Sequence, residues 1–291
     1  MAALSLDDGK LSQAQVDRYW DEGYLFPVQA FASERAQAYR ATLEEIEETW
    51  LSADLPKPLN TYKRVGAHVT MPFIVEISKT PAILDAVEGI LGPDIMIYSA
   101  ELFIKEPRTS HVVTMHQDLT YWGLGAIDGL VTAWVALSPA TVESGCMDFV
   151  RSSHKNSILP HEDTFGENNL LSRGQEIKVD VDEEDKTAIV LQPGQMSLHH
   201  GLTIHGSGPN VSDDRRIGVV IRYIRPDMEQ QVGARDFAMM ARGEDRFGHF
   251  EHVPEPKDIF ASESLSLYEE IRAEQAKVLM RDSKAKSEMY S

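Results

Sequence analysis

The N-terminal third of the chain is dominated by helical periodicity. Apolar residues recur at spacings of three and four in two runs, Ser12 to Glu22 and Ser33 to Trp50, and each begins at a serine. Thr80 to Leu91 repeats the pattern, with a proline in its first turn and Gly92-Pro93 just beyond its end. Gly23 to Val28 predicts one short strand between the first two helices. Residues 1–94 are therefore predicted to be mainly helical.

From residue 95 the pattern changes to short β-type runs separated by glycine, proline, asparagine and aspartate. The predicted strands are Ile95 to Lys105, Val112 to Asp118, Leu130 to Leu137, Met147 to Val150, Thr187 to Leu191, Met196 to His199 and Ile217 to Ile224. Many short strands after several helices indicate a mainly β protein with flanking helices, with a β-sandwich or jelly-roll core over residues 95–224. Residues 1–291 are predicted to form a single domain.

The C-terminal part of the chain consists of two segments with different residue patterns. Residues 225–261 are rich in proline, glycine, methionine and charge and lack clear periodicity, which predicts a long loop or lid with one helical turn. Ser262 to Lys284 is predicted to be an amphipathic helix, which docks on the domain or on a second subunit. Its apolar face comprises Leu265, Tyr268, Ile271 and Val278. The pattern leaves the oligomeric state open.

Composition and net charge argue against several classes of protein. Hydrophobic residues make up 42% of the chain and charged residues 25%, and no apolar run is long enough to span a membrane. A formal charge of -18 argues against nucleic acid, because phosphate contacts need clustered lysine and arginine. The first ten residues lack the pattern of a secretory signal, so a cytoplasmic location is expected. The single cysteine, Cys146, excludes an internal disulfide and a cysteine-built zinc site.

Three side chains of the β-rich half have the composition of a metal site. In an extended strand, residues two apart point to the same face, so His116 and Asp118 are predicted to face one ion. His205 is the best candidate for a third ligand. Two histidines and one carboxylate on one face of an octahedral ion are typical of non-haem Fe(II) oxygenases.

A basic side chain is predicted to lie close to this metal site. The turn from Gly208 to Asp214 allows the following strand to fold back beside His205, which brings the Arg216 guanidinium near the same cavity. Arginine presents a planar fork of donors that binds a carboxylate in a bidentate way. A carboxylate-bearing cosubstrate is therefore predicted beside the metal.

These segments resemble the phytanoyl-CoA dioxygenase family of Fe(II)- and 2-oxoglutarate-dependent oxygenases. The resemblance covers roughly residues 11–223. It rests on His116-Gln117-Asp118-Leu119, Thr132-Ala133-Trp134, Glu143-Ser144-Gly145, Ser153-His154, Leu198-His199-His200-Gly201 and Ile204-His205-Gly206-Ser207-Gly208-Pro209-Asn210. The Pro-Gly usual in that family before Ser-His is replaced here by Arg151-Ser152, which affects only local loop shape.

The resemblance implies a double-stranded β-helix with His116, Asp118 and His205 as iron ligands. The keto acid end of 2-oxoglutarate would chelate iron, and its far carboxylate would pair with Arg216 and accept a hydrogen bond from Ser207. By the same likeness, Trp134 would line the cosubstrate pocket. Three further site residues implied in this way are therefore Arg216, Ser207 and Trp134.

The chemistry that the resemblance implies uses Fe(II), O2 and 2-oxoglutarate, which is decarboxylated to succinate while an unactivated C-H bond is hydroxylated. Relatives that halogenate carry glycine or alanine at the carboxylate position. Asp118 therefore favours hydroxylation over halogenation.

The substrate is expected to be a small organic molecule, and several residues are candidates to contact it. Arg222 lies six positions after Arg216 and is predicted to share its face, where it binds either a substrate anion or one of the protein's acids. The other candidate substrate contacts are Lys105, Tyr121, Trp122 and His200.

Two alternatives to the oxygenase use the same scaffold. A zinc hydrolase would employ His116, Asp118 and His205 to activate water, but it has no use for Arg216. A binding or sensing module would hold a structural metal or none. The complete ligand set with its arginine argues against a degenerate site.

Overall fold

The helices lie mainly in the N-terminal third, as predicted. The computed structural model describes residues 3, 4, 6, 9–120, 122–125, 128–164, 168–171, 175–178 and 181–281. Ser12 forms a capping box with Gln15, and Gly92 ends the fifth helix with a φ of 90°. The helices are α1 Gln13–Glu22, α2 Ser33–Trp50, α3 Leu59–Arg64, α4 Pro72–Ser78, α5 Pro81–Leu91 and α6 Ser262–Leu279. None of these described helices is long and apolar enough to cross a membrane.

The strands form two facing, mainly antiparallel sheets and a small hairpin. They are β1 Tyr24–Gln29, β2 Ile95–Lys105, β3 Val113–His116, β4 Leu130–Ala136, β5 Met147–Val150, β6 His161–Asp163, β7 Gln175–Ile177, β8 Lys186–Ile189, β9 Gln195–His200, β10 His205–Ser207, β11 Arg216–Ile224, β12 Phe237–Arg242 and β13 Glu251–His252. The large sheet has the order β1-β9-β4-β11-β2-β12-β13, with β12 and β13 parallel, and the small sheet has the order β3-β10-β5-β8. This arrangement confirms the predicted mixed α and β fold with a double-stranded β-helix core.

Strand β11 separates two hydrophobic layers through its alternation. Ile217, Val219 and Ile221 belong to the core between the large sheet and the helices. On the opposite face, Val220 packs with Phe149 of β5 in the core between the two sheets. Successive side chains of a strand point to opposite faces, so the even-numbered residues of β11 face the small sheet.

Two parts of the C-terminal region bear on the predictions. The expectation of an irregular loop with a helical turn over 225–261 is wrong, because β12 pairs with β2, with Met239 opposite Ile97, and those described residues contain no helix. The apolar run Phe237, Ala238 and Met239 is buried. It was too short and too rich in methionine to be recognised as a strand.

Helix α6 docks on its own domain, one of the two predicted positions. Tyr268 is buried, stacks at 4.8 Å between ring centroids on Tyr62 of α3, and donates its hydroxyl to the Thr61 carbonyl. Ile271 is also buried in the helical layer. The helix ends at Leu279, and the predicted continuation over 282–284 lies outside the described residues.

Candidate active site

The two histidines and the aspartate predicted to bind metal lie together between the sheets. His116 ends β3 and is directly opposite His205 at the start of β10, with 4.2 Å between ring centroids. One ligand atom from each of His116, Asp118 and His205 lies within 4.8 Å of the other two, and all three residues are buried. They provide two imidazoles and one carboxylate, the donor set suited to Fe(II).

The route by which Asp118 reaches this group differs from the prediction. Strand β3 ends at His116, and Asp118 begins a turn of 3-10 helix, so strand alternation does not position the carboxylate. The Gln117 side chain holds the bend: its amide donates to the Leu202 carbonyl at 2.9 Å and accepts from the Leu159 amide at 2.8 Å. The backbone groups of Gln117 are satisfied outside a strand ladder, because its N–H donates to His161 Nε2 at 3.2 Å and its carbonyl accepts from Thr120 Oγ1 at 2.9 Å.

Both histidines are oriented so that Nε2 is the available ligand atom. The Nδ1 atoms of His116 and His205 each lie 2.9 Å from the carbonyl two residues earlier, that of Thr114 and Thr203. An Nδ1-H that donates to a carbonyl fixes the tautomer and leaves the Nε2 lone pair directed at the metal. Burial lowers the pKa of His116 to about 3 and that of His205 to about 4, so both rings are neutral at pH 7.

The Asp118 carboxylate is held from both sides. Thr132 Oγ1 donates to Oδ2 at 2.8 Å, and Arg222 Nη2 donates to Oδ1 at 3.3 Å. Burial alone would raise the pKa of Asp118, but the Arg222 guanidinium and the nearby His199 lower it well below its usual range. The ligand set therefore carries one fixed negative charge.

His199 faces the metal site, whereas the adjacent His200 does not. His199 Nε2 lies 3.6 Å from Asp118 Oδ2, and the ring centroids of His199 and His205 are 4.6 Å apart. His200 was the predicted candidate, but it points to the other face of β9 and pairs with Asp128 at 3.1 Å. Adjacent residues of a strand face opposite ways, so the register of β9 against β4, with His199 opposite Thr132, decides between them.

Thr132 and His199 are site residues that sequence reasoning missed. Both occur in the segments that carry the family resemblance, but no role was inferred for either side chain. The signal that finds them is the cross-strand pairing of β4 with β9, which brings both side chains to Asp118. Strand pairing between residues so distant along the chain cannot be read from local periodicity.

A strongly basic subsite adjoins the three ligands. Arg216 is 1% exposed and donates from Nη1 to the Gly145 carbonyl at 3.1 Å, while its Nε has no hydrogen-bond partner among the described residues. Its guanidinium lies 5.2 Å from the Trp134 ring centroid. Burial lowers the pKa of Arg216 to about 10, so it stays charged at pH 7. Gly218 makes room for Trp134, because a Cβ there would lie 2.0 Å from the indole.

Lys105 belongs to this basic subsite. It lies opposite Arg216 in the β2 and β11 pairing, and its Nζ donates to Ser207 Oγ at 2.6 Å and to the Gly208 carbonyl. The residue is fully buried. Burial and the neighbouring Arg216 lower its pKa to about 6. Lys105 therefore lies beside Arg216 and Ser207, and its contact with the substrate stays a prediction.

Arg222 forms a buried ion-pair network. Pairing with the protein's own acids was one of the two roles predicted for this residue. Besides Asp118, it donates from Nη1 to Glu101 Oε2 at 2.8 Å, and its guanidinium covers the Trp122 ring at 4.6 Å from the centroid. Both carboxylates compensate its charge, which argues against a role in binding a substrate anion. Tyr121, the remaining candidate substrate contact, lies outside the described residues.

Arg222→Met should lower the free energy of unfolding of the metal-free protein by about 3–5 kcal/mol, because Asp118 and Glu101 would be left as buried, unpaired carboxylates. Urea denaturation measures the loss. Arg235→Met is the matched control, since its ion pairs with Glu251 and Glu270 are exposed to solvent and should contribute little to the free energy of unfolding. Equal losses in the two variants would contradict the assigned role of Arg222.

Comparison with known proteins identifies the chain's relatives. The model of the family described as phytanoyl-CoA dioxygenase (PhyH) matches residues 19–218. A probable phytanoyl-CoA dioxygenase of Caenorhabditis elegans is 24% identical over 247 residues, which span 77% of this chain and 79% of that protein. A probable alpha-ketoglutarate-dependent hypophosphite dioxygenase of Stutzerimonas stutzeri is 25% identical over 77% of this chain and 82% of its own. Matches to several other curated relatives span about half of their length.

A solved structure agrees with these matches. The non-heme monooxygenase ThoJ, in its apo form, superposes with a TM-score of 0.83 at 31% identity, over 92% of this chain and 98% of that one. The family match covers more than half of the chain, and its residues include both histidines, the aspartate and Arg216. The chain therefore belongs to the phytanoyl-CoA dioxygenase family of Fe(II)- and 2-oxoglutarate-dependent dioxygenases.

Proposed function

We propose that this protein hydroxylates an unactivated C-H bond of a small organic substrate, coupled to oxidative decarboxylation of 2-oxoglutarate. One atom of O2 enters succinate, the other enters the hydroxylated product, and carbon dioxide leaves. The observation that carries the proposal is a buried set of two histidines and one aspartate beside a buried arginine that lacks a carboxylate partner among the described residues. A zinc hydrolase would need the three metal ligands but would have no use for the buried arginine.

The ligand set fits Fe(II). His116 and His205 would bind through Nε2, since each Nδ1 faces a backbone carbonyl, and Asp118 would bind as a carboxylate. The bound iron supplies O2 activation and the oxidation of the C-H bond. The protein's contribution is to hold three donors in fixed orientations and to leave the remaining coordination positions open. Because Asp118 occupies the carboxylate position, hydroxylation is favoured over halogenation.

The basic subsite fits the distal carboxylate of 2-oxoglutarate. Arg216 and Ser207 would bind it directly, and Lys105 Nζ lies within hydrogen-bond distance of Ser207 Oγ. Trp134 would form one wall, with its ring already packed against the guanidinium. A carboxylate bound here would compensate buried positive charge, which is costly to leave unpaired.

The surrounding side chains keep water from the reaction. Phe103, Val113 and Met147 line the cavity between the ligands and the basic subsite, and all three are buried. Apolar walls lower the local dielectric constant, which strengthens the pairing between Arg216 and a bound carboxylate.

The direct test reconstitutes the protein with Fe(II) and measures succinate formed from 2-oxoglutarate, with and without candidate substrates. We expect succinate with Fe(II) and none when Zn(II) replaces it. Anaerobic binding of 2-oxoglutarate to the iron-loaded protein is read from the metal-to-ligand charge-transfer band. Absence of both succinate and the band would overturn the proposal.

Binding of 2-oxoglutarate near pH 7 should be accompanied by proton uptake at Lys105. The pKa of this lysine is lowered to about 6 in the free protein, so it is mainly neutral at pH 7. A carboxylate bound nearby favours the charged form and raises that pKa, so affinity should fall as pH rises above about 6 toward the raised value.

Calorimetry in buffers of different ionisation enthalpy measures this uptake. Lys105→Met should abolish it. Lys63→Met is the matched control, because Lys63 pairs with Glu47 in the helical layer. Binding enthalpy that does not vary with the buffer would contradict the prediction.

A further inference from the structure

The His199 imidazole lies inside the protein next to the metal ligands, and neither of its ring nitrogens has a hydrogen-bond partner among the described residues. The residue is 1% exposed, and it lines the cavity that contains His116, Asp118 and His205. Burying a polar nitrogen without a partner costs free energy, so such groups are rare in folded proteins. The two nitrogens of His199 therefore indicate a function that compensates this cost.

Packing holds the His199 ring in place. Its centroid lies 4.6 Å from that of His205 and 4.8 Å from that of Phe149. Its backbone is held between two strands, opposite Tyr24 of β1 and Thr132 of β4. The ring is therefore positioned by its neighbours, and its own nitrogens are left to interact with the site.

His199 is not a fourth metal ligand. Within the described part of the chain, the donors that lie within 4.8 Å of one another are those of His116, Asp118 and His205. The Nε2 atom of His199 instead faces Asp118, at 3.6 Å from Oδ2. A shift of about half an ångström brings these two atoms to the roughly 2.7–3.2 Å of an N-H to O hydrogen bond.

The two oxygens of Asp118 have different surroundings. Oδ1 lies 3.8 Å from His116 Nε2, the atom available to a metal, and accepts from Arg222. Oδ2 accepts from Thr132 Oγ1 at 2.8 Å and is the oxygen nearest to His199. A carboxylate oxygen has two lone pairs, so Oδ2 can accept from both side chains. Oδ1 is therefore the oxygen on the metal side, and Oδ2 is the oxygen available to the protein's donors.

The acceptor that faces His199 decides which nitrogen carries the hydrogen. Burial lowers the pKa of His199, so the ring is neutral at pH 7 and has one N-H and one lone pair. The ionised carboxylate of Asp118 offers only acceptors, and it faces Nε2. The hydrogen therefore belongs on Nε2, the reverse of His116 and His205, whose Nδ1 atoms face backbone carbonyls.

We propose that His199 is a positioning residue, whose Nε2-H holds Asp118 Oδ2 together with Thr132 so that Oδ1 alone faces the metal. The inference rests on the proposed function for the identity of the metal, and it requires only that a divalent ion binds the three ligands. A carboxylate held by one oxygen takes one coordination position, whereas a carboxylate free to turn can take two. His199 therefore preserves the open positions that the cosubstrate and O2 need.

The test measures metal binding without cosubstrate or turnover. Zn(II) and, anaerobically, Fe(II) are titrated into the metal-free variants His199→Phe, His199→Gln and His199→Asn. The first variant removes both nitrogens, the second places an amide nitrogen near the position of Nε2, and the third places one near that of Nδ1. We expect the first and third to weaken metal binding by about tenfold, and the second to retain the affinity within about threefold.

Nitric oxide measures whether a coordination position stays open. It is added anaerobically to the Fe(II) and 2-oxoglutarate complex, and the electron paramagnetic resonance signal of the nitrosyl complex reports its binding. Combining Thr132→Val with His199→Phe removes both donors from Oδ2, so the carboxylate can turn and the affinity for nitric oxide should fall by about tenfold. Unchanged affinity would contradict the claim that these donors keep Oδ2 from the metal.

Stability to urea distinguishes positioning from a structural role. Because the His199 nitrogens make no hydrogen bond to the described residues, an apolar ring of similar shape should leave the urea midpoint of the metal-free protein unchanged or raise it. A structural role predicts a lower midpoint in His199→Phe. His200→Phe is the matched control for disturbance of β9, because that ring faces away from the site and pairs with Asp128. It should leave metal affinity unchanged.

Failure of this inference and failure of the proposed function give different results. If His199→Phe binds Zn(II) and Fe(II) as tightly as the native protein, the role of His199 is overturned and the oxygenase remains. If metal affinity falls as expected but neither succinate nor a charge-transfer band forms, the role of His199 is supported and the proposed function fails. Equal losses in His199→Gln and His199→Asn, or in His200→Phe, would also overturn the role of His199.

Discussion

Asp118→Ala should abolish substrate hydroxylation and weaken iron binding by at least about 100-fold, the upper end of the loss caused by removing partners of metal ligands. The iron would lose its one anionic protein ligand, while Arg222 would lose one of its two counter-charges. Repulsion between the guanidinium and the metal, now unscreened by the carboxylate, adds to the loss. Anaerobic titration with Fe(II) measures binding, and succinate and product formation measure turnover.

Two further variants sharpen this prediction. Asp118→Asn keeps the size of the side chain and removes its charge, so a similar loss would identify the charge as the cause. Asp128→Asn is the control: its carboxylate also pairs with a histidine, but it is 72% exposed and lies outside the site. Full turnover in Asp118→Ala would overturn the ligand assignment.

Arg216→Ala should reduce the affinity for 2-oxoglutarate by about 100-fold or more, because the cosubstrate's distal carboxylate would be buried without its counter-charge. Iron binding should be unchanged, since the Arg216 guanidinium makes no contact with the three ligands. The charge-transfer band of the iron-loaded protein, titrated with 2-oxoglutarate, separates these two effects. Arg216→Lys should recover part of the affinity, because it restores the charge without the planar fork.

The neighbouring arginine provides the matched control for this experiment. Arg215 directly precedes β11 and forms ion pairs with Glu47 and Glu106. Arg215→Ala should therefore leave 2-oxoglutarate binding unchanged. Equal losses in the two variants would show that the effect comes from disturbance of the strand, and would remove Arg216 from the proposed subsite.

Much of the fold was predictable because its signals are local. The capping serine of α1, the glycine after α5 and the bounds of β2 and β5 agree with the pattern of the sequence. Strand β12 was missed because a methionine-rich run of six residues has no strong β signal until it finds β2 as a partner. Helices α3 and α4 are six and seven residues long, too short for a clear helical period.

The sequence predicted which residues form the candidate site better than it predicted how they are arranged. The order of His116, Asp118, His205 and Arg216 along the chain pointed to metal and cosubstrate. The turn at Asp118 was not predicted, because it depends on bonds from Gln117 to Leu202 and Leu159, which are distant in the chain. Such contacts leave no local pattern.

By itself, the sequence determined the family, the donor types of the metal site and the presence of an arginine for the cosubstrate, because spacing and residue type carry that information. Only the tertiary structure decided that His199 faces the site and His200 does not, that Lys105 joins Arg216, and that Arg222 pairs with acids. The physical reason is that strand register decides which side chains face the site. Charge compensation depends on neighbours that lie far apart in the chain.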